Sequence, residues 1–329
     1  EGVYSKNYNE VYATSLGYKQ EGTIQLPGEP APRNLWVAEG IKNKDGSKVN
    51  GYYMKNVNDK NLQGSYYSIT ASVSKSFNFG LDLMAAYTRS GAKSLSDGNG
   101  DQISEFANTY CLNGCNEPVL GNAYYVSPNR VIANIGYNIN EGKRTATHLG
   151  VFYEGYNIGF ISSYSYSRVS YLMDNVSGAG SASQLIYIPT TAELATMEFH
   201  DPANRQAFED FITKDKYLSK HRGQYSERNG VTAPWLGRVN FHVAQDIYFY
   251  VAGRKETLQI ALDIKNVGNL LNSNWGVYKQ MSSNKILQYG HDEKKGQTTD
   301  KYTFTEPTWS VYNSTASTWN MMFSAKYSF

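Results

Sequence analysis

No run of eighteen or more apolar residues occurs anywhere in this 329-residue chain, which excludes a transmembrane helix. Charge of either sign is not in excess. Lys and Arg total 31 against 29 Asp and Glu, a net charge of +2, and the basic residues are scattered in runs of no more than two, so no nucleic-acid partner is expected. The five histidines, His148, His200, His221, His242 and His291, lie far apart, with no His-Glu-x-x-His pair and no Cys/His ligand cluster. A Gly-x-Ser-x-Gly elbow, a Walker loop and a dinucleotide fingerprint are also missing, and with them the residues that catalysis of those kinds needs. No enzymatic activity is expected. Cysteine is limited to Cys111 and Cys115.

What the chain has in quantity is tyrosine, 28 of them, within an aromatic content of 14%. Together with 29 Gly and many Asn and Ser, this is the makeup of numerous strands joined by turns and polar loops. A mean hydropathy of -0.53 is ordinary for a soluble protein. Barrel strands hide their apolar residues by alternation, so that value leaves a membrane location open.

The final stretch shows the alternation best. Trp319, Met321, Phe323, Ala325, Tyr327 and Phe329 fall on one side of a strand, and Thr318, Asn320, Met322, Ser324, Lys326 and Ser328 on the other. Eight steps from Trp319 to Tyr327, tilted as barrel strands are, climb about 19 Å, close to the ~25 Å apolar band bounded by aromatics that an outer-membrane barrel shows to lipid. Seven further strands are predicted. A loosely alternating one opens the chain at Tyr4 to Tyr18, and a polar segment to about Leu62 follows as a long exposed loop. Tyr67 to Val73 and Phe79 to Tyr87 form a hairpin about Asn78, and Val131 to Ile139 and Thr147 to Tyr153 a second one, in which Ile132 and Phe152 break the pattern. Val239 to Val243 and Leu258 to Ile264 make a third, turning near Gly253. Short turns thus alternate with long loops, including 155–233 and 272–316, as expected when short turns face the periplasm and long ones the outside. The first of these loops begins with a Tyr/Ser-alternating extension at Phe160 to Arg168. It also holds a short helix, with Asp201 as N-cap, Pro202 first, and Phe208, Phe211 and Ile212 at helical spacing.

Several residues are candidates for specific roles. Arg238, Asn240 and His242 share one side of their strand, Asp263 and Lys265 one side of the next, and all five are read as lumen-facing. Asp97, Asn99 and Asp101 place oxygen ligands as a calcium loop does, which suggests a structural calcium. Gln102 in place of the turn glycine and Asn108 in place of the bidentate Glu favour a plain polar loop tip. Cys111 and Cys115 are expected to form a disulfide across the tight Leu-Asn-Gly spacer in an oxidising compartment, with free thiols as the alternative.

The segment Pro234-Trp-Leu-Gly-Arg-Val-Asn-Phe-His-Val-Ala-Gln-Asp246, the strand from Leu258 and the run Asn266-Val-Gly-Asn269-Leu270-Leu271-Asn272-Ser-Asn-Trp275-Gly276 resemble the C-terminal end of TonB-dependent outer-membrane transporters, and most nearly their Oar-like subfamily of Bacteroidetes. Gln184-Leu-Ile-Tyr-Ile-Pro189 and Tyr217 to Gly230 are similar to stretches of that subfamily's long loop. Asp174 to Ser183 lacks most of the carboxylates found there. The resemblance implies an all-β transmembrane antiparallel barrel, with the whole chain supplying the last eight of 22 strands and the plug and earlier strands lying upstream. The chain begins at Glu1 without Met or an export signal, as a portion of a longer exported protein would. It further implies a location in the outer membrane of a Gram-negative bacterium and active transport or reception of a ligand caught by the outer loops. The implied partners are the TonB complex, acting through the plug, outer-membrane lipid and the barrel-assembly machinery, which reads Tyr327 and Phe329 at the chain end. The alternative is a self-contained eight-stranded barrel serving as anchor or adhesin.

Overall fold

The alternating stretches pair with one another in chain order. Eight strands, β1 (Gly2–Lys6), β2 (Ser65–Ser76), β3 (Leu81–Ser94), β4 (Asn129–Asn140), β5 (Thr145–Asn157), β6 (Trp235–Val251), β7 (Arg254–Lys265) and β8 (Asn320–Ser328), follow one another in an antiparallel sheet in which each is hydrogen-bonded to the next, and the two-residue strand Gly121–Asn122 pairs with the end of β3 beside them. This computed structural model describes residues 1–49, 51–98, 100–114, 116–140, 142, 144–157, 160–162, 165–169, 184–289, 301–312 and 315–329.

Register decides which side chains share a side of the sheet. Leu258, Ile260, Leu262 and Ile264 of β7 stand opposite Tyr327, Ala325, Phe323 and Met321 of β8. The same side continues through Phe241 and Val243 of β6, Val151 and Leu149 of β5, Ile135 and Tyr137 of β4, Leu83 and Ala85 of β3 and Val73 of β2. In a soluble protein such a side is covered. Here it is the open one: Val73 is 68% and Phe323 72% exposed, whereas Ala244 and Ala261 on the other side are 2% and 6% exposed. Aromatics bracket the apolar side at both ends, with Tyr67, Tyr87, Tyr153 and Trp235 toward one and Phe79, Tyr137, Phe249 and Tyr327 toward the other. The Trp235 indole N–H donates to the Tyr153 hydroxyl at 3.1 Å, and the Phe249 and Tyr327 rings stack at 5.9 Å. Where a polar pair does lie on this side, it satisfies itself: the Thr147 hydroxyl donates to Gln245 at 2.6 Å.

The connections divide sharply. At the Phe79 end they are tight, at Phe77 to Gly80 and at Ala252-Gly253, whose positive φ of 50° and 82° suits a two-residue hairpin. At the Trp235 end lie the long connections 7–64, 95–128, 158–234 and 266–319, and these pack together. Leu26, Phe106, Ile186, Phe208, Ile286 and Tyr302 belong to one buried cluster drawn from all four. The apolar core therefore sits in this cap and not on the sheet. Helices α1 (Gln102–Asn108), α2 (Thr191–Thr196) and α3 (Pro202–Lys214) lie within it, and α4 (Val267–Leu271) follows β7. The predicted helix is α3, with the Asp201 side chain accepting from the Ala203 N–H, and Phe208 and Ile212 fully buried.

Three expectations need correction. The opening stretch is not one strand: only Gly2–Lys6 joins the sheet, Asn7 turns back to Gly64, and Glu10–Ser15 pairs with Tyr52–Val57 inside the cap. The segment to Leu62 is not an exposed loop, because Tyr18–Ile24 also pairs with Arg33–Ala38 and its side chains feed the cap core. The long loop connections carry their own strands. Lys279–Met281 pairs with Trp309–Val311, and Lys285–Tyr289 with Tyr302–Phe304 and, in parallel, with Ser165–Val169. Hence Phe160 to Arg168 does not prolong β5, which ends at Asn157. β1 and β8 do not pair, so among the described residues the sheet keeps two open edges and no closed barrel forms.

Candidate functional site: the polar side of the sheet

The side of the sheet opposite the apolar one is lined by short or polar residues, and register brings two of them into contact. His242 of β6 and Asp263 of β7 are direct cross-strand partners, with imidazole Nδ1 at 2.7 Å from the carboxylate Oδ1. When Nδ1 carries the proton it donates to Asp263 and leaves Nε2 as an acceptor. Beside them the sheet lacks side chains: Gly136 faces Gly150, which in turn faces His242, so a hollow opens next to the imidazole. The resulting groove of about 510 Å³ is lined by Asn134, Phe152, Asn240, His242, Asp263 and Lys265, among others. Phe152, a break in the pattern when read from sequence, is thus an apolar wall of this groove. Among the described residues no Ser, Thr or Cys lines it. The arrangement offers hydrogen bonds, one cation and one carboxylate to a polar occupant.

The five residues read as inward-facing divide between two jobs. Asn240, His242, Asp263 and Lys265 line the groove, whereas Arg238 donates to the Ala316 carbonyl; Asn240 in addition accepts from the Asn266 N–H at 2.9 Å. Arg238 and Asn240 therefore also fasten the last long connection to the sheet. A second histidine was missed by sequence reasoning: His148 bridges Asn138 (2.7 Å) and Asp246 (3.1 Å), and Asp246 also accepts from Gln259 at 2.8 Å. The signal was available, since Asp246 has the same alternation phase as His242.

The Asn269-Leu270-Leu271-Asn272 run is structural. It forms α4 behind Asn266, whose φ is +55°, and the buried Asn269 amide donates to the carbonyls of Ser273 and Trp275, both at 3.0 Å. The calcium candidates do different work. Asp97 is buried, accepts from Asn229 at 2.9 Å and lies 4.0 Å from Arg228, and burial pushes its carboxyl up. Asp101 caps α1 through the Ser104 N–H at 2.8 Å, which holds its carboxyl down, and Asn99 lies outside the described residues. Among the described residues no three His, Cys, Asp or Glu groups come together to hold a metal. Cys111 is buried in the cap core and accepts from the Gln184 amide at 3.2 Å, while Cys115 lies outside the described residues, as do Asp174 to Ser183. At the chain end the Tyr327 hydroxyl donates to Glu256, and the exposed Phe329 ring lies 5.9 Å from that of Tyr327. Comparison with protein-family models, curated proteins and solved structures finds no match for this chain.

Proposed function

We propose that the sheet is a section of an outer-membrane β-barrel, of the kind found in TonB-dependent transporters. In this reading its apolar side faces lipid, its polar groove faces the lumen and the cap lies outside the cell. One observation carries this: the sheet is inside out, with its apolar, aromatic-bracketed side exposed and a groove on its polar side, while the main apolar cluster lies in the long connections at one end. Water would penalise that arrangement and a bilayer rewards it. The two open edges fit a section of a larger barrel, because in lipid each unpaired backbone group costs several kcal/mol. In this reading a solute captured by the cap passes the His242–Asp263 groove, and the polar side meets a plug that TonB moves.

The test uses adjacent residues of β8. Phe323 faces outward and Met322 inward, and both are exposed. Arginine facing the bilayer midplane costs about 2–4 kcal/mol. Placed in the complete barrel, Phe323→Arg should therefore lower its outer-membrane level severalfold while Met322→Arg leaves it near wild type. Equal levels of the two variants would sink the reading.

A further inference from the structure

A second hollow, of about 550 Å³, lies where the cap meets the Trp235 end of the sheet. Trp235 enters it from the outward side of β6, and Trp309 from the last long connection; they are 44% and 36% exposed. A third ring is supplied by Tyr217, stacked on the His221 imidazole at 4.2 Å. Burial pushes the Tyr217 hydroxyl up to about 12, so the ring stays neutral. Lys214 and Lys216 flank these rings at the end of α3, and neither makes an ion pair among the described residues. The one carboxylate in the lining, Asp215, accepts from the backbone N–H groups of Tyr217 and Leu218 at 2.9 and 2.8 Å, so it is already engaged. The lysines also complement the negative end of the α3 dipole, but that role does not require the aromatic rings beside them.

Flat aromatic faces next to two ammonium groups that outnumber the one carboxylate match one chemical class. Indole and phenol rings pack on the C–H faces of a pyranose, and two lysines attract a phosphate or carboxylate carried by it. The volume suits a sugar of one or two rings. We infer that this hollow is a binding site for an acidic saccharide, formed by Trp235, Trp309, Tyr217, His221, Lys214 and Lys216. Two sources carry that chemistry, a free sugar phosphate and the phosphorylated headgroup of a glycolipid. The second source rests on the proposed membrane orientation, which puts Trp235 at the level of the outer headgroups; the first does not.

Tryptophan emission of the protein, purified in an uncharged, sugar-free detergent, reports binding when titrated with glucose 6-phosphate, with glucose, with inorganic phosphate and with micelles containing a phosphorylated diglucosamine lipid. The expected result is saturable quenching by the sugar phosphate or by the glycolipid, stronger than by glucose or phosphate alone. Lys214→Gln/Lys216→Gln should weaken it about tenfold, the loss of charge-assisted contacts, and Trp309→Leu should remove most of the quench. Quenching by the glycolipid alone identifies a headgroup site, and quenching by both identifies a free-sugar site. No saturable response to either, from protein whose protease-resistant cap is intact, overturns the assignment, as does binding that both variants leave unchanged. A failed Phe323→Arg test would remove the headgroup source and leave the free-sugar arm standing.

Discussion

Arg33 shows how a single residue holds the cap together. It is fully buried, pairs with both Glu29 oxygens at 2.7 and 2.9 Å, and donates to the carbonyls of Leu112 at 3.2 Å and Leu185 at 2.8 Å, so it ties three long connections to one another. Removing one partner of a buried pair leaves an uncompensated charge and costs about 3–5 kcal/mol. Arg33→Met should therefore lower the unfolding free energy of the cap, from urea titrations followed by tryptophan emission, by that order, and Glu29→Leu/Arg33→Met should lose less than the single variant. A double variant as damaged as the single one would contradict the argument. The cysteines give a second test at this scale. With a disulfide between Cys111 and Cys115, the protein denatured without reductant should expose no thiol to labelling and two after reduction. Two reactive thiols without reductant would refute the bridge.

At the scale of the element, the β2–β3 hairpin depends on Gly80, whose φ is +94° and whose carbonyl accepts from the Asn138 N–H at 2.9 Å. A Cβ there would run into the Asn138 carbonyl oxygen. Gly80→Ala combines that clash with a conformation that costs ~1–3 kcal/mol for a side-chain-bearing residue, so it should reduce folding yield, measured as the heat-modifiable fraction on a gel. The equivalent change at Gly142, where a Cβ meets nothing within 4 Å, carries only the positive-φ cost and should do less. The closing strand makes its own prediction. Phe329 extends the outward aromatic row of Phe249 and Tyr327 at the tight-turn end, whereas Ser328 points to the other side. On the transporter reading, deleting Phe329 from the complete barrel should lower outer-membrane levels more than Ser328→Ala, and equal levels would count against an assembly role for the terminal ring.

For the whole molecule, the transporter reading makes function depend on strands beyond the open edges of β1 and β8. On the transporter reading, this chain alone should neither insert stably nor take up ligand, and uptake by a complete barrel should stop in cells lacking TonB. Insertion and activity of this chain alone, independent of TonB, would overturn both the size of the barrel and the mechanism. Seven of the eight sheet strands, the tight turns and α3 were legible in the sequence, because alternation, turn residues and a capping Asp-Pro are local signals. The alternation also placed Arg238, Asn240 and His242 on one side of β6 and Asp263 and Lys265 on one side of β7. Local signals do not say what a strand pairs with. Glu10–Ser15 reads as a continuation of β1 until Tyr52–Val57 claims it, and Arg33 in a proline-rich stretch looks exposed until three connections close around it. Which side of the sheet is open was likewise decided by tertiary structure, since alternation fixes that two sides differ and only the packing around the sheet determines which one is left uncovered.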